Sequence, residues 1–202
     1  MIVIENTAVN NVARSVYSAR NAMNSWDKFD SDLEHDVLGE NDLALARKLA
    51  HAGTDHRKFM RMIIVYVDIT APLYWWKEFD TYKVGTVTNS CSTMHKIHSK
   101  EFTLDDFSHE HLDYISEGYL IKLIDHLNYV REDYNNSKSK DKWWQMIQLL
   151  PSSYNQKRTV MLNYEVLRNM YFARKDHKLD EWIAFCDWVE KLSSFKDIFL
   201  ED

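Results

Sequence analysis

Apolar and polar positions alternate along this chain in two different periods. Val9, Val12, Ala13, Val16, Ala19, Ala22 and Met23 recur at helical spacing, which predicts a helix over Thr7–Trp26. Ahead of it, "MIVIE" is apolar and β-branched, the composition of a short buried strand. The stretch "SWDKFDSDLEHDVLG" is acidic and irregular. Asn41 is expected to cap an amphipathic helix through "DLALARKLAHAG" that Gly53 ends. Period two takes over in "KFMRMIIVYVDIT", Lys58 to Thr70, where Val65, Val67 and Ile69 oppose Ile64, Tyr66 and Asp68, as in a strand with one exposed side.

Pro72 then suits a helix start, having no backbone donor to lose, and "PLYWWKEFDTY" follows as a short aromatic helix. Behind it comes "EFDTYKVGTVTNSCSTMHKI", read as a polar loop with a lone glycine and a cluster of hydroxyls. Leu112, Ile115, Tyr119, Leu120, Leu123, Ile124, Leu127 and Val130 form a long helical stripe. "DYNNSKSKDK" reads as an exposed connection, "WWQMIQLL" as a helix stopped by Pro151, "PSSYNQKR" as a loop and "TVMLN" as a short strand. Two helices, "YEVLRNMYFARK" and "LDEWIAFCDWVEKLSSF", complete the pattern. Strands interleaved with longer helices predict an α/β (α+β) class, a small mixed sheet flanked by long helices.

Length and composition narrow the functions. With 202 residues, 45% of them apolar, one domain spanning residues 1–202 is expected. A net charge of −6 leaves no excess of Lys and Arg to displace counterions, which argues against duplex nucleic acid as a partner. No window approaches the ~20 apolar residues of a membrane span, and the first residues lack the basic and apolar regions of a signal peptide. A cytoplasmic protein is therefore expected, with Cys91 and Cys186 as reduced thiols.

Chemistry-bearing clusters are few. His109 with His111 and His95 with His98 are the closest histidine pairs, but neither pair alone makes a metal site, and none is expected. The aromatic runs Tyr74–Trp76 and Lys142–Trp144 offer either ring-stacking platforms or packed helix faces. Arg174, by periodicity alone, is a surface arginine.

Taken together, "FMRMIIVYVDITAPLYWWKEFDTYKVGT" and "LLPSSYNQKRTVMLNYEVLRNMYFARKDHKLDEW" resemble the flavin-dependent thymidylate synthases over roughly His51 to Trp182. The resemblance is one of order and spacing: a strand, an Ala-Pro helix start, an aromatic helix, a hydroxyl-rich loop, a Leu-Pro stop, a strand ending in Asn and a helix carrying arginine. It implies a homotetramer with sites between subunits, FAD as cofactor and a nucleotide as ligand. Residue by residue, it assigns flavin contacts to His56, Lys83 and Asn163. It assigns nucleotide contacts to the loop Ser90, Cys91, Ser92 and Thr93 and to Arg174.

Departures from the family pattern fall on charges. Thr81-Tyr82-Lys83 stands where the family has Arg-His-Arg, the hydroxyl loop lacks its arginine, Ile147 replaces another, and Glu165 reverses a fourth. A charge-assisted hydrogen bond contributes about 1.5–3 kcal/mol, so losing several weakens any grip on FAD. No catalytic residue is assigned. Three readings stay open: a nucleotide-binding protein with a degenerate catalytic site, such as a sequestering protein of a phage or mobile element; a divergent FAD-dependent thymidylate synthase converting dUMP to dTMP; and a structural or assembly protein.

Overall fold

The computed structural model describes residues 2–200; Met1 of the expected first strand lies outside them. Among the described residues are eight α-helices and one four-stranded antiparallel sheet, so the α/β class holds. The strands are β1 (Val3–Asn10), β2 (Ile64–Pro72), β3 (Thr86–Ser90) and β4 (Asn155–Asn163), in the order β1-β2-β4-β3. The β2–β4 register is antiparallel: Ile63 carbonyl accepts from Tyr164, Asp68 accepts from the Thr159 hydroxyl, and Leu73 donates to Tyr154 carbonyl. Val65, Val67, Ile69 and Ala71 are buried while Tyr66 is half exposed, as the alternation predicts. No helix among them is long and apolar enough to cross a membrane.

By its internal contacts the chain divides into two compact units. Among the described residues, one comprises 2–3, 70–81 and 89–158, the other 4–69, 82–88 and 159–200. The first contains α3 (Leu73–Phe79), α4 (Tyr114–Ser137) and α5 (Lys140–Leu149). On α3, Trp75, Trp76 and Phe79 are buried and mutually packed at 4.9–5.2 Å between ring centroids, so this aromatic run is core. Leu120, Ile124 and Leu127 of α4 close a second cluster with Ile97, Phe102 and Phe107. The connection expected over "DYNNSKSKDK" is instead largely helical. α4 runs on to Ser137, and Lys138, at φ 53°, turns the chain directly into α5.

The second unit holds α1 (Val12–Ala19), α2 (Glu40–His51), α6 (Tyr164–Arg174), α7 (Asp180–Glu190) and α8 (Phe195–Phe199). Its core joins Val12, Val16, Ala46, Tyr164, Leu167, Trp182, Phe185 and Phe195. Two expectations near the N-terminus change. β1 continues to Asn10 and is mostly exposed rather than buried, and the helix starts only at Val12, after Asn11 takes φ 69°. Asn41 does not cap α2; Gly39 occupies that position.

Both helices are capped from the acidic stretch. Asp36 accepts from the Val12 and Ala13 amides at 3.0 and 2.7 Å, and Asp30 accepts from the Asn41 and Asp42 amides at 2.8 and 3.0 Å. Orphan amide donors of a first turn are satisfied equally well by a carboxylate from a distant segment. Asp42 in turn is fully buried, paired with buried Arg20 and accepting from the Asp30 amide and from the Ser31 amide and hydroxyl. The irregular segment is thus pinned at both helix starts.

The amide of Asn41, more than any other group, holds the Asp30 carboxyl below its ordinary value. A depressed carboxyl contributes stability above its unfolded pKa and loses it as pH falls through the folded value. Asp30→Ala is therefore expected to cost about 1 kcal/mol at neutral pH, the usual magnitude for a lost cap. The gap to the parent should shrink as pH drops below ~4, measured by urea denaturation across pH.

Candidate functional site

The residues assigned to ligands fall into two groups, one in each unit. In the first unit, Ser90 ends β3 and is exposed, so the region read as a loop is partly an edge strand. Cys91 prolongs its ladder by donating to Lys157 carbonyl at 2.9 Å, and Gln156 Nε2 donates to Cys91 carbonyl at 2.6 Å. Ser92 Oγ accepts from the Met94 and His95 amides at 3.2 and 2.8 Å, folding the chain back on itself. Its hydroxyl proton remains available to an anion.

Cys91, Ser92 and Thr93 line one cavity of about 510 Å³. Three lysines, Lys96, Lys100 and Lys157, share its wall with two carboxylates, Asp105 and Asp106. Lys100 is committed to Asp106 at 2.5 Å. Tyr154 and Phe102 give the cavity an aromatic side; burial pushes the Tyr154 phenol above its ordinary pKa, so it is a neutral donor at physiological pH. Sequence reasoning missed Lys96, Tyr154 and Gln156. The available signal was a longer β4, whose register begins at Asn155 inside the stretch read as a loop.

In the second unit, Asn163 ends β4 and caps α6 by accepting from the Val166 amide at 3.1 Å. Gly85 is built against it: its φ is +79°, and a Cβ there would lie 2.8 Å from Asn163 Nδ2 and 3.1 Å from Val166 Cγ2. Arg174 is half-buried at the end of α6, donating from Nε to the Tyr82 hydroxyl at 3.0 Å. Its guanidinium lies 4.9 Å from the Trp182 ring centroid and 5.7 Å from that of Tyr82. Arg174 is a positioned cation in an aromatic setting, not a free surface arginine. Lys83 and His56 are exposed.

Glu165 is engaged locally. Arg61 makes a two-point ion pair with it, and Arg57 Nε stands 3.8 Å from Oε1. At Thr81-Tyr82-Lys83, Thr81 donates its hydroxyl to Glu78 carbonyl, the Tyr82 hydroxyl accepts from Arg174, and Lys83 is exposed. Both thiols are free, Cys91 exposed and Cys186 buried, with burial pushing the Cys186 thiol up to about 12. Among the described residues no three His, Cys, Asp or Glu side chains converge on a metal position.

Comparison with known proteins gives the fold. No protein-family model matches the chain, and no curated protein matches its sequence. Among solved structures, it superimposes on the flavin-dependent thymidylate synthase ThyX from Helicobacter pylori complexed with FAD and dUMP. The TM-score is 0.71 at 13% identity, covering 100% of this chain and 98% of that one. A second structure of Helicobacter pylori ThyX with FAD and dUMP gives 0.70 at 14% identity, with 100% and 97% coverage. The chain therefore has the fold of the flavin-dependent thymidylate synthases, at an identity far too low to carry over residues.

Gly85→Ala tests the packing of the segment carrying Tyr82 and Lys83. It introduces both a strained backbone and a contact too close to Asn163, and is expected to lower stability by about 1–3 kcal/mol. Gly53→Ala, also at positive φ but with open space around the new Cβ, should cost less. Thermal denaturation of the two variants side by side measures the difference.

Proposed function

We propose that this protein binds a nucleotide-class ligand in the cavity of its first unit and does so without a thymidylate synthase reaction. The observation that carries this reading is the convergence there of the Ser92–Thr93 hydroxyl loop, Lys96 and the Tyr154 ring. Hydroxyls and an ammonium suit a phosphate, and an aromatic side suits a planar base. The fold likeness to structures that hold FAD and dUMP supports the same ligand class. Binding without turnover fits sequestration, the role a phage or mobile element would give such a protein. Cytoplasmic location and a single functional domain belong to this reading.

Differential scanning fluorimetry with dUMP, other mononucleotides and FAD tests it. A ligand at 100 times its Kd should stabilise the protein by ~2.7 kcal/mol. Lys96 is exposed, so Lys96→Ala should fold normally and weaken binding roughly tenfold, as expected for one charge-assisted contact. No stabilisation by any nucleotide, or an undiminished response in Lys96→Ala, defeats the reading. Stoichiometric uptake of FAD with a flavin absorption spectrum would favour instead the second reading, an FAD-dependent thymidylate synthase.

A homo-oligomer, with the tetramer as the expected form, is part of the proposal. α4 supports it, because Ile115, Tyr119 and Tyr129 recur at helical spacing on its exposed side and are 68%, 70% and 64% exposed. A solvated stripe of this kind opposite an already buried face suits a partner helix. Tyr119→Glu places a charge in that stripe and should lower the mass measured by light scattering, while leaving the helical circular dichroism unchanged. A parent chain that is monomeric at micromolar concentration defeats this part.

A further inference from the structure

Gln156 lines the cavity of the first unit and is only 7% exposed, so its amide is a polar group largely withdrawn from water. A terminal amide can turn its oxygen or its nitrogen to either side, and its neighbours decide which. Arg158 Nε stands 3.0 Å from Gln156 Oε1, and a guanidinium only donates, so the oxygen faces the arginine. On the other side Nε2 lies 2.6 Å from Cys91 carbonyl, which only accepts. Both neighbours impose the same orientation. The amide nitrogen carries two protons; Cys91 takes one, and the second has no partner among the described residues.

Arg158 is itself fixed. It donates to Asp80 Oδ1 at 2.7 Å, and its guanidinium lies 4.2 Å from the ring centroid of buried Trp76. Trp76 in turn donates from Nε1 to Gln156 carbonyl at 2.9 Å. A cation held between a carboxylate and an indole face keeps its Nε on the glutamine and prevents the amide from turning over. Tyr154 lies two residues before Gln156 on extended chain, so the two side chains leave the same face, and both line the cavity. A donor of fixed direction thus stands beside the ring on which a planar base would stack.

We propose that Gln156 is the specificity-determining residue of this cavity, with Arg158 as its positioning residue, and that together they select nucleotides whose base carries an exocyclic oxygen. The proposal rests on the nucleotide reading of the cavity and adds the class of base. Uracil, cytosine and guanine each present a carbonyl oxygen, with two lone pairs projecting beyond the ring edge; adenine offers only ring nitrogens and an amino donor. A buried N–H that meets no good acceptor has lost its water without replacement, which disfavours adenine roughly tenfold.

Isothermal titration of the whole chain with dGMP, dAMP, dUMP and dCMP tests the selection. All four share the sugar and phosphate, and dGMP and dAMP share the purine ring, so their ratio isolates the base edge. dGMP should bind about tenfold more tightly than dAMP, and dUMP and dCMP should also bind more tightly than dAMP. Gln156→Met keeps the side chain's length, removes the donor and should close the gap between dGMP and dAMP. Arg158→Met leaves Gln156 in place but frees its amide to turn, and should narrow the same gap. Arg158→Lys, still a donor to Oε1, should restore it, whereas an arginine that served only the fold would change all four affinities alike. If the Met variants do not fold, NMR of the parent chain reads the same contact: the second Gln156 side-chain amide proton should shift with dGMP and not with dAMP. Equal affinities for dGMP and dAMP, or an undiminished gap in Gln156→Met, overturn this proposal while nucleotide binding stands. Failure of all four to bind defeats the nucleotide reading and this proposal with it.

Discussion

The amide side chain of Asn163 sets the start of α6 and with it the positions of that helix's polar residues. It ends β4, caps α6 through the Val166 amide, and stands against Gly85 so closely that the neighbouring segment has room for no side chain at that point. Because the cap sets where α6 begins, it also sets the helical phase on which Glu165, Arg168 and Arg174 are placed. Glu165 and Arg168, three residues apart, share one side of the helix near its start, and Arg174 arrives two turns later at Tyr82 and Trp182. One residue thereby converts the end of a strand into an ordered row of charges.

Such devices divide what could be read from the sequence from what could not. Elements whose burial follows a period were legible: Val65, Val67 and Ile69 on β2, Leu120, Ile124 and Leu127 on α4, and the helix that Pro151 follows. Elements fixed by groups remote in sequence were not. The starts of α1 and α2 depend on Asp36 and Asp30, which reach helices far from them along the chain, and no local pattern announces that. β3 was hidden for a related reason. An exposed edge strand of Thr, Val, Asn and Ser buries no alternate side chains, so its composition is that of a loop.

The candidate site shows the same division. The cluster Cys91, Ser92 and Thr93 could be picked out by type, and it does line a cavity; its companions Lys96 and Tyr154 could not, because only the fold brings them there. Glu165 is more instructive. Taken alone, a carboxylate where a cation is expected suggests repulsion of an anion. In place, Arg61 pairs with it and Arg57 Nε stands 3.8 Å from its carboxylate, so its charge is compensated locally. The sign of a site is a sum over residues that sequence order does not assemble.

This explains how a fold can persist at 13% identity. The architecture rests on interactions that tolerate substitution by kind: any β-branched residue serves at Val65 or Val67, and any short acceptor can cap α6. Buried α3 residues such as Trp75 and Trp76 are constrained by volume and packing, not by ligand chemistry. Phosphate and flavin recognition, by contrast, depends on a handful of cations whose replacement alters the bound ion without disturbing the core. The Thr81-Tyr82-Lys83 segment illustrates the difference. Its residues satisfy the end of α3 and the aromatic setting of Arg174, interactions that hold the chain in place.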